Sequence, residues 1–172
     1  MKLLSIDAGS EQSAYVEYNT TTGLPEEFGI IENESVLMVI AKSDCDIMVI
    51  EDIESFGMAV GKSVFDTCKW IGQFTLQWKR SRYKVCSGWN RSMKPYYYLK
   101  RSEVKMSLCN TMRAKDTNVR QAIMDLYGTS KSEVIGTKNQ KGPLYGIKSH
   151  LWSALAVAIV GNEKFLKCEL GV

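Results

Sequence analysis

The sequence contains a single histidine, His150, and no closely spaced pair of cysteines. Its five cysteines are spread along the chain without a C-x-x-C pair among them: they are Cys45, Cys68, Cys86, Cys109 and Cys168. Zinc ribbons need paired cysteine or histidine ligands, and a disulfide framework needs an even number of cysteines. The pattern therefore argues against both, and it favours free thiols in a reducing compartment.

Long apolar runs and a secretory signal are also missing. No apolar run approaches the roughly 20 residues that a membrane-spanning helix needs, and the opening MKLLSID reaches a charged side chain at once. The chain has 172 residues, of which 45% are hydrophobic and 24% charged, which is typical of a globular protein with one ordinary domain. We therefore expect a cytoplasmic protein that does not enter a membrane.

Two long segments each carry charges of almost only one sign, and the sign differs between them. Residues 1–54 contain twelve acidic and two basic residues, whereas residues 79–120 contain twelve basic and two acidic residues. Solvated surfaces usually mix both signs, so this segregation predicts one face that binds a polyanion.

The apolar pattern of the first half predicts strands and helices in alternation. KLLSID reads as a strand that is buried on both sides, SAYVEYN as its hairpin partner and LPEEFGII as a third strand. The spacing in NESVLMVIAK predicts a helix, and CDIMVIED predicts another buried strand. A glycine-containing loop follows, then a long helix over SVFDTCKWIGQFTLQWKR and a short strand at YKVCSG.

The second half predicts mostly helices. Residues 89–100 read as aromatic, basic and irregular, and RSEVKMSLCNTM reads as helical. DTNVRQAIMDLYG predicts a helix with Asp116 as its N-cap and Gly128 as its stop. TSKSEVIGTKNQKGPLYG reads as a mobile loop, and SHLWSALAVAIVGN predicts a final apolar helix. We expect an α/β fold with a mixed five-stranded sheet and helices on both faces.

Two carboxylates stand at the ends of predicted buried strands, Asp7 and Glu51. Ligands gather at the carboxyl ends of strands in such sheets. If the two strands are neighbours, the carboxylates repel, and either a proton or a divalent cation would relieve the repulsion. Carboxylate oxygens suit Mg²⁺, although each acid also fits a simple role in a solvent-facing loop.

His150 opens the final helix after a glycine-containing loop. A lone histidine beside an apolar run is more often a half-buried structural residue than a ligand. At the start of a helix, however, its side chain can face a cleft, where imidazole serves as a metal ligand or as a general acid or base.

Four blocks of the sequence occur in a recognisable order. They are IDAGSEQSAYV, VIEDIESFGMAVGKSVFDTCKWIGQF, RSEVKMSLCNTMRAKDTNVRQAIMDLYG and GPLYGIKSHLWSALAVAIV. Together they cover nearly the whole chain and resemble the RuvC-like Holliday junction resolvases, most closely the small phage-encoded members. The resemblance implies a single nuclease domain over residues 1–172 with the ribonuclease H-like fold, in the host cytoplasm if the protein is phage-encoded.

The resemblance also implies a set of catalytic and metal-binding residues. The first-strand aspartate of the family matches Asp7, the glutamate at the end of its fourth strand matches Glu51, and the position that opens its last helix matches His150. A further family aspartate falls at Ser153, and serine is a poor metal ligand. The fourth position is therefore uncertain, with Asp52, Glu54, Asp116 or water as candidates, although Asp116 reads as an N-cap.

The activity implied by the resemblance is cleavage of four-way DNA junctions by paired nicks, usually by a homodimer. Mg²⁺, for which Mn²⁺ would substitute, would polarise the scissile phosphate and stabilise the leaving 3′ oxygen. A second metal or His150 would activate the attacking water.

Basic residues interleaved with aromatic residues predict the DNA-binding surface. Phosphate contacts give affinity without sequence reading, and aromatic rings can stack on unpaired bases. We predict DNA contacts by the basic residues Lys62, Arg80, Arg82, Arg91, Lys94, Lys105, Arg113 and Lys115. The aromatic candidates are Trp89, Tyr96, Tyr97 and Tyr98, which also suit a core. The loop FGMAVGKSVF (56–65) is a further candidate, and the helix after it, with Phe65, Trp70, Phe74 and Trp78, is where the resemblance places the subunit contact.

Three other functions remain open on the sequence alone. The first is a nuclease of the same fold that acts on forks, flaps or other branched DNA. The second is a catalytically weakened module that binds branched DNA, which Ser153 makes conceivable. The third is a phosphotransferase or ATPase, because IDAGS also resembles the D-x-G-[ST] phosphate loop of sugar kinases and actin-like ATPases. That group needs a longer chain and a second glycine-rich phosphate motif, which this sequence does not contain.

Overall fold

The computed structural model describes residues 1–55, 57, 59–83 and 94–167, without the side chains of residues 82, 83, 166 and 167. Its five strands are β1 (Lys2–Asp7), β2 (Gln12–Asn19), β3 (Leu24–Glu32), β4 (Ile47–Asp52) and β5 (Tyr96–Lys100). They form one sheet in the order β3-β2-β1-β4-β5. The first three strands pair antiparallel, and β4 and β5 run parallel to β1. The predicted α/β class and the mixed five-stranded sheet are therefore confirmed.

Within the described ranges, six α-helices connect and cover these strands. They are α1 (Asn33–Lys42), α2 (Lys62–Tyr83), α3 (Arg101–Cys109), α4 (Asp116–Tyr127), α5 (Lys131–Val134) and α6 (Leu151–Gly161). The last helix continues as a π-helical segment over Asn162–Lys167. Within the described residues, no helix is both long and apolar enough to cross a membrane.

The sheet has a hydrophobic core on each face, because successive side chains of a strand point to opposite faces. Leu4 and Ile6 of β1 pack with α1 and α2 on one face. Leu3 of β1 and Val49 of β4 pack on the other face, against α3, α4 and α6. The apolar run that forms α6 is buried almost all round, which explains why this helix carries no polar face.

The fifth strand differs from the sequence-based prediction. The predicted strand YKVCSG falls at the end of α2 and in residues outside the described part of the chain. The strand that completes the sheet is instead Tyr96–Lys100, within the stretch that reads as irregular. Its tyrosines favour strands, but the pairing with β4, which is distant in sequence, decides the assignment.

Two local predictions about α4 and the loop after it were wrong. Lys115, not Asp116, holds the N-cap position of α4, and Asp116 is the first helical residue. The stretch predicted as a mobile loop contains α5 and an isolated bridge between Gly136 and Lys141. Its apolar residues Val134 and Leu144 are buried in the core. The abundant lysine and glycine of this segment make these two core residues hard to recognise from the sequence.

Candidate active site

Asp7 and Glu51 are brought together by the parallel pairing of β1 and β4. Ile6 pairs with Ile50 in this register, so the next residues of the two strands, Asp7 and Glu51, lie side by side at the carboxyl edge. Strand alternation places both carboxylates on the same face as Val49, which packs beneath α6. The sheet therefore directs two acidic side chains toward the start of that helix.

Burial makes this pair costly in its fully ionised form. The Glu51 side chain is only 13% exposed, and burial, followed by the negative charge of Asp7, raises its pKa to about 8. Burial also raises the pKa of Asp7, against the opposing effect of His150 and Arg101. Either a proton on one carboxyl group or an added positive charge would relieve this cost.

His150 contacts the carboxylate of Asp7 from the start of α6. Its Nδ1 lies 3.1 Å from Asp7 Oδ2, while 72% of the histidine side chain remains exposed. When Nδ1–H donates to Asp7, the Nε2 of the neutral ring is an acceptor. The preceding residue, Ser149, has a φ of 47°, and this turn in the backbone brings the histidine to the sheet edge.

A guanidinium group lies among the acidic side chains. Arg101, the first residue of α3, places Nη1 3.6 Å from Glu51 Oε1 and Nη2 2.7 Å from Asp116 Oδ1. Lys105, one turn further along α3, lies 3.8 Å from the same Asp116 oxygen. The hydrogen bond from Arg101 lowers the pKa of Asp116. Asp116 therefore belongs to the ion-pair network of the site and does not cap its own helix.

Ser153 faces the same region, one helical turn after His150. Both residues line a cleft of about 340 Å³ together with Arg101, Asp116, Thr117 and Arg120. A second cleft of about 380 Å³, formed by the loop between β1 and β2, meets the first at His150 and includes Asp7. The uncertain fourth position therefore shares a cleft with His150 and Asp116, but its hydroxyl adds no negative charge.

The donor set suits a divalent cation. Glu51 Oε2 is buried and has no hydrogen-bond partner among the described residues, and it lies beside a second carboxylate and an imidazole, groups that bind Mg²⁺ and Mn²⁺. The ligand atoms of Asp7, Glu51 and His150 do not all lie within 4.8 Å of one another. Across the described residues, the one group of three His, Cys, Asp or Glu side chains that meets this distance is Glu17, Asp44 and Cys45. That set lies near the opposite end of β4, where Lys2 already pairs with Asp44.

The predicted DNA-binding residues fall into four groups. Arg91 and the side chain of Arg82 lie outside the described part of the chain. Lys62, Arg80, Arg113 and Lys115 are exposed. Lys105 belongs to the ion-pair network at Asp116. Lys94 donates through Nζ to the backbone oxygens of Asp44 and Cys45, at 3.2 and 2.8 Å. These bonds tie the entry of β5 to the segment before β4, so we leave Lys94 out of the proposed surface.

The three consecutive tyrosines of β5 pack against neighbouring elements. Tyr97 stacks on Phe165 with ring centroids 4.1 Å apart. Tyr98 shares a hydrogen bond of 2.8 Å with Thr75 of α2, and Tyr96 meets it edge to face at 5.8 Å. These contacts give all three rings packing partners within the protein, and Tyr98 remains 42% exposed. Trp89, Phe56 and Met58 lie outside the described residues.

The predicted contact helix α2 uses much of its apolar stripe for the core. Phe74 and Trp78 are fully buried, and Phe65 is exposed. Packing in the core therefore accounts for Phe74 and Trp78, and Phe65 at the N-terminal end of the stripe stays at the surface.

Arg101 is the site residue that sequence reasoning missed, because the sequence presents it only as one cation of a basic segment. Asp116 is among the sequence-based candidates for the fourth position, although its N-cap interpretation is wrong. The available signal was the position of Arg101, because a basic residue directly after a strand parallel to β4 lies at the same sheet edge as Glu51. Recognising it required the correct assignment of β5.

Comparison with known proteins identifies structural relatives. No protein-family model matches the chain, and no curated protein matches it. Among solved structures, RuvC of Thermus thermophilus superposes with a TM-score of 0.61 and 14% identity, covering 99% of this chain and 97% of that one. RuvC of T. thermophilus in complex with a Holliday junction substrate gives a TM-score of 0.62 and 15% identity, covering 99% and 96%. The ribonuclease H-like fold expected from the sequence is therefore confirmed.

Proposed function

We propose that the protein is a metal-dependent, structure-selective endonuclease that resolves four-way DNA junctions by paired nicks. The observation that carries this proposal is the placement of Asp7 and Glu51 side by side at the carboxyl edge of the sheet, with His150 in contact with Asp7. Two further observations support it: the fold is shared over almost the full length with a RuvC that is bound to a Holliday junction in one structure, and the basic residues are concentrated in one segment.

Asp7, Glu51 and His150 are the residues that would hold Mg²⁺ or Mn²⁺. The bound cation would polarise the scissile phosphate and stabilise negative charge on the leaving oxygen. Cation binding would also remove the electrostatic cost of ionising Glu51, whose pKa is raised to about 8 in its absence. The buried Oε2 of Glu51, which has no hydrogen-bond partner among the described residues, is available for this purpose.

His150 would accept a proton during hydrolysis. In the overall step, a water oxygen bonds to phosphorus, the bond from phosphorus to the 3′ oxygen breaks, and one proton leaves the attacking water. The contact between His150 Nδ1 and Asp7 Oδ2 fixes the ring and leaves Nε2 of the neutral tautomer either to ligate the cation or to accept that proton, because one nitrogen lone pair cannot do both at once. The exposed face of the imidazole gives solvent and substrate access to Nε2.

Exposed basic side chains would bind the DNA backbone around this site. Arg113 and Lys115 precede α4, whose first residue Asp116 is already part of the site. Lys62 and Arg80 lie on α2. Contacts of this kind supply affinity that falls with rising salt concentration and does not depend on base sequence.

A homodimer would supply two sites for paired nicks. Phe65 and Leu76 of α2 are exposed, and they share one helix face because eleven residues make about three turns. Met38 of α1, the neighbouring helix, is also exposed. We propose this α1–α2 surface as the subunit contact. Sedimentation of the purified protein at micromolar concentration tests it, and a monomer under all conditions would contradict it.

The decisive experiment compares cleavage and binding by the wild type, Asp7→Asn and Asp125→Asn. Labelled four-way junction, fork, flap and plain duplex are incubated with Mg²⁺ or Mn²⁺. Asp7→Asn should lose cleavage and keep junction binding, because it removes a ligand and leaves the basic surface intact. Asp125 is an exposed acid on α4, so Asp125→Asn is the matched control and should cut normally. Cleavage by Asp7→Asn at the wild-type rate would refute the site.

The alternative functions give different results in the same assay. A preference for forks or flaps identifies a nuclease for other branched DNA. Junction binding without cutting identifies a catalytically weakened binding module, the alternative that Ser153 at the fourth position favours. Nucleotide hydrolysis without DNA would identify a phosphotransferase or ATPase and would refute the proposal.

A further inference from the structure

Arg101 enters the carboxylate site from the strand next to β4. In the parallel register, Glu51 pairs with Leu99 and Asp52 pairs with Lys100. The next residue, Arg101, therefore begins α3 at the same sheet edge as Glu51. Its side chain is only 23% exposed and spans from Glu51 to Asp116. Such a position is unusual for an arginine that only solubilises a surface.

We propose that Arg101 supplies the positive charge that a second divalent cation would otherwise bring, so that this site binds a single divalent cation. This inference rests on the proposed nuclease function and specifies the composition of its metal site. Its premise is the guanidinium placed between Glu51 and Asp116, at the site where serine stands in the fourth position. Arg101 acts here as a positioning residue, because it acts through the acidic side chains.

The charges of the site support one cation and oppose two. Asp7, Glu51 and Asp116 carry three negative charges when ionised, and Arg101 and Lys105 carry two positive charges within 4 Å of Glu51 or Asp116. One divalent cation would turn the remaining single negative charge into a single positive charge. A second would leave an excess of three positive charges in a half-buried site, where charge repulsion is several times stronger than in water.

The geometry leads to the same conclusion. Two cations in a nuclease site are about 3.5–4 Å apart and need shared and separate carboxylate ligands. The side of Glu51 that faces Asp116 is occupied by Arg101 Nη1 at 3.6 Å. Ser153 lines this same cleft without contributing a carboxylate. The second ion would therefore find no carboxylate at Ser153 and would lie against a permanent cation.

The choice of arginine makes the charge permanent. A guanidinium stays protonated at all pH values at which the protein is folded, whereas a second metal ion would have to bind from solution. Nη1 of Arg101 is buried and has no hydrogen-bond partner among the described residues, so its role toward Glu51 is mainly electrostatic. The better hydrogen bond, 2.7 Å from Nη2 to Asp116, fixes the position of the group.

The test is the number and magnetic coupling of bound Mn²⁺ ions, measured by titration calorimetry and electron paramagnetic resonance on the full chain without DNA. Site-bound ions are defined as those lost in Asp7→Asn. The wild type should bind one such ion with the spectrum of an isolated Mn²⁺. The double variant with Arg101→Gln and Ser153→Asp should bind two ions with an exchange-coupled spectrum, which a merely structural role for Arg101 would not produce.

Three control variants separate charge from other effects. Ser153→Asp alone should still bind one ion, because Arg101 remains in place. Arg101→Lys combined with Ser153→Asp keeps the charge and should also bind one ion. Lys131→Gln combined with Ser153→Asp removes a distant exposed charge on α5 and should behave like Ser153→Asp alone. Circular dichroism of each variant checks that it is folded.

Each outcome bears on one of the two proposals. Two coupled ions in the wild type, or in Ser153→Asp alone, would overturn the role of Arg101 and leave the nuclease function standing. A folded Arg101→Gln, Ser153→Asp variant that still binds one ion would also overturn it. If this variant fails to fold, the number of Mn²⁺ ions bound by the wild type and their spectrum still test the role of Arg101. If Asp7→Asn loses no ion, the proposed metal site itself fails.

Discussion

Replacing Glu51 by glutamine should stabilise the metal-free protein at alkaline pH while abolishing cleavage. Glutamine has nearly the shape of a protonated glutamate, but it cannot ionise. In the wild type, burial and the neighbouring charge of Asp7 raise the pKa of Glu51 from 4.5 to about 8. The variant should therefore keep the packing of the protonated state at pH values where the wild-type side chain is charged.

The size of the effect follows from the pKa. A rise from 4.5 to about 8 corresponds to on the order of 4–5 kcal/mol, at about 1.36 kcal/mol for each tenfold change in the protonation equilibrium. Because the pKa is higher in the folded protein, this stability is fully present below pH 4.5. It is lost progressively as the pH rises to about 8. Structural relaxation reduces such values, so we expect a gain of about 2–4 kcal/mol at pH 8.5.

Urea unfolding in EDTA at pH 5 and at pH 8.5 measures the effect. The free energies of unfolding of the wild type and Glu51→Gln should be similar at pH 5 and diverge at pH 8.5. Adding Mg²⁺ should stabilise the wild type much more than the variant, because ligand binding to the folded state raises its stability. The control is Glu34→Gln, an exposed acid of α1, which should change stability by at most about 0.5 kcal/mol. Equal stability of the wild type and Glu51→Gln at pH 8.5 would refute the reasoning.

Three further predictions concern the base, the DNA surface and the core. His150→Ala should reduce the single-turnover cleavage rate by about 100-fold or more and change its pH profile, and an unchanged rate would return His150 to a structural role. Arg113→Gln with Lys115→Gln should weaken binding of junction and duplex alike and reduce the slope of log affinity against log salt by about 1–2. Gel-shift titrations at several salt concentrations measure this slope, and an unchanged slope would contradict the proposed DNA contacts. Phe74→Ala should cost about 3–5 kcal/mol of unfolding free energy, since Phe74 is fully buried; a loss below about 1 kcal/mol in denaturant titration would contradict its place in the core.

Short-range patterns in the sequence predicted most of the elements. Strands β1 to β4 and helices α1, α2, α4 and α6 fall where the apolar spacing indicated, because amphipathic and fully buried segments leave a local signature. Segments with mixed signals were assigned wrongly. In β5, the basic and aromatic residues concealed a strand whose identity depends on pairing with β4.

For the candidate site, too, local sequence patterns predicted the positions of residues along the chain but not their proximity in space. The sequence places Asp7 and Glu51 at strand ends and His150 at a helix start, and the roles of these three residues stay predictions that the structure makes geometrically reasonable. Their proximity could be expected only if β1 and β4 were neighbours. The register of Ile6 with Ile50 satisfies that condition.

What the sequence by itself determined is the kind of residue at each strand and helix terminus, since local periodicity fixes where those termini fall. What only the tertiary structure decided is which termini meet. Arg101 pairs with Glu51 and Asp116 at 3.6 and 2.7 Å because β5 joins the sheet beside β4 and α4 packs near α3. Long-range packing of this kind depends on the whole fold, and the same arginine in another topology would be an ordinary surface cation.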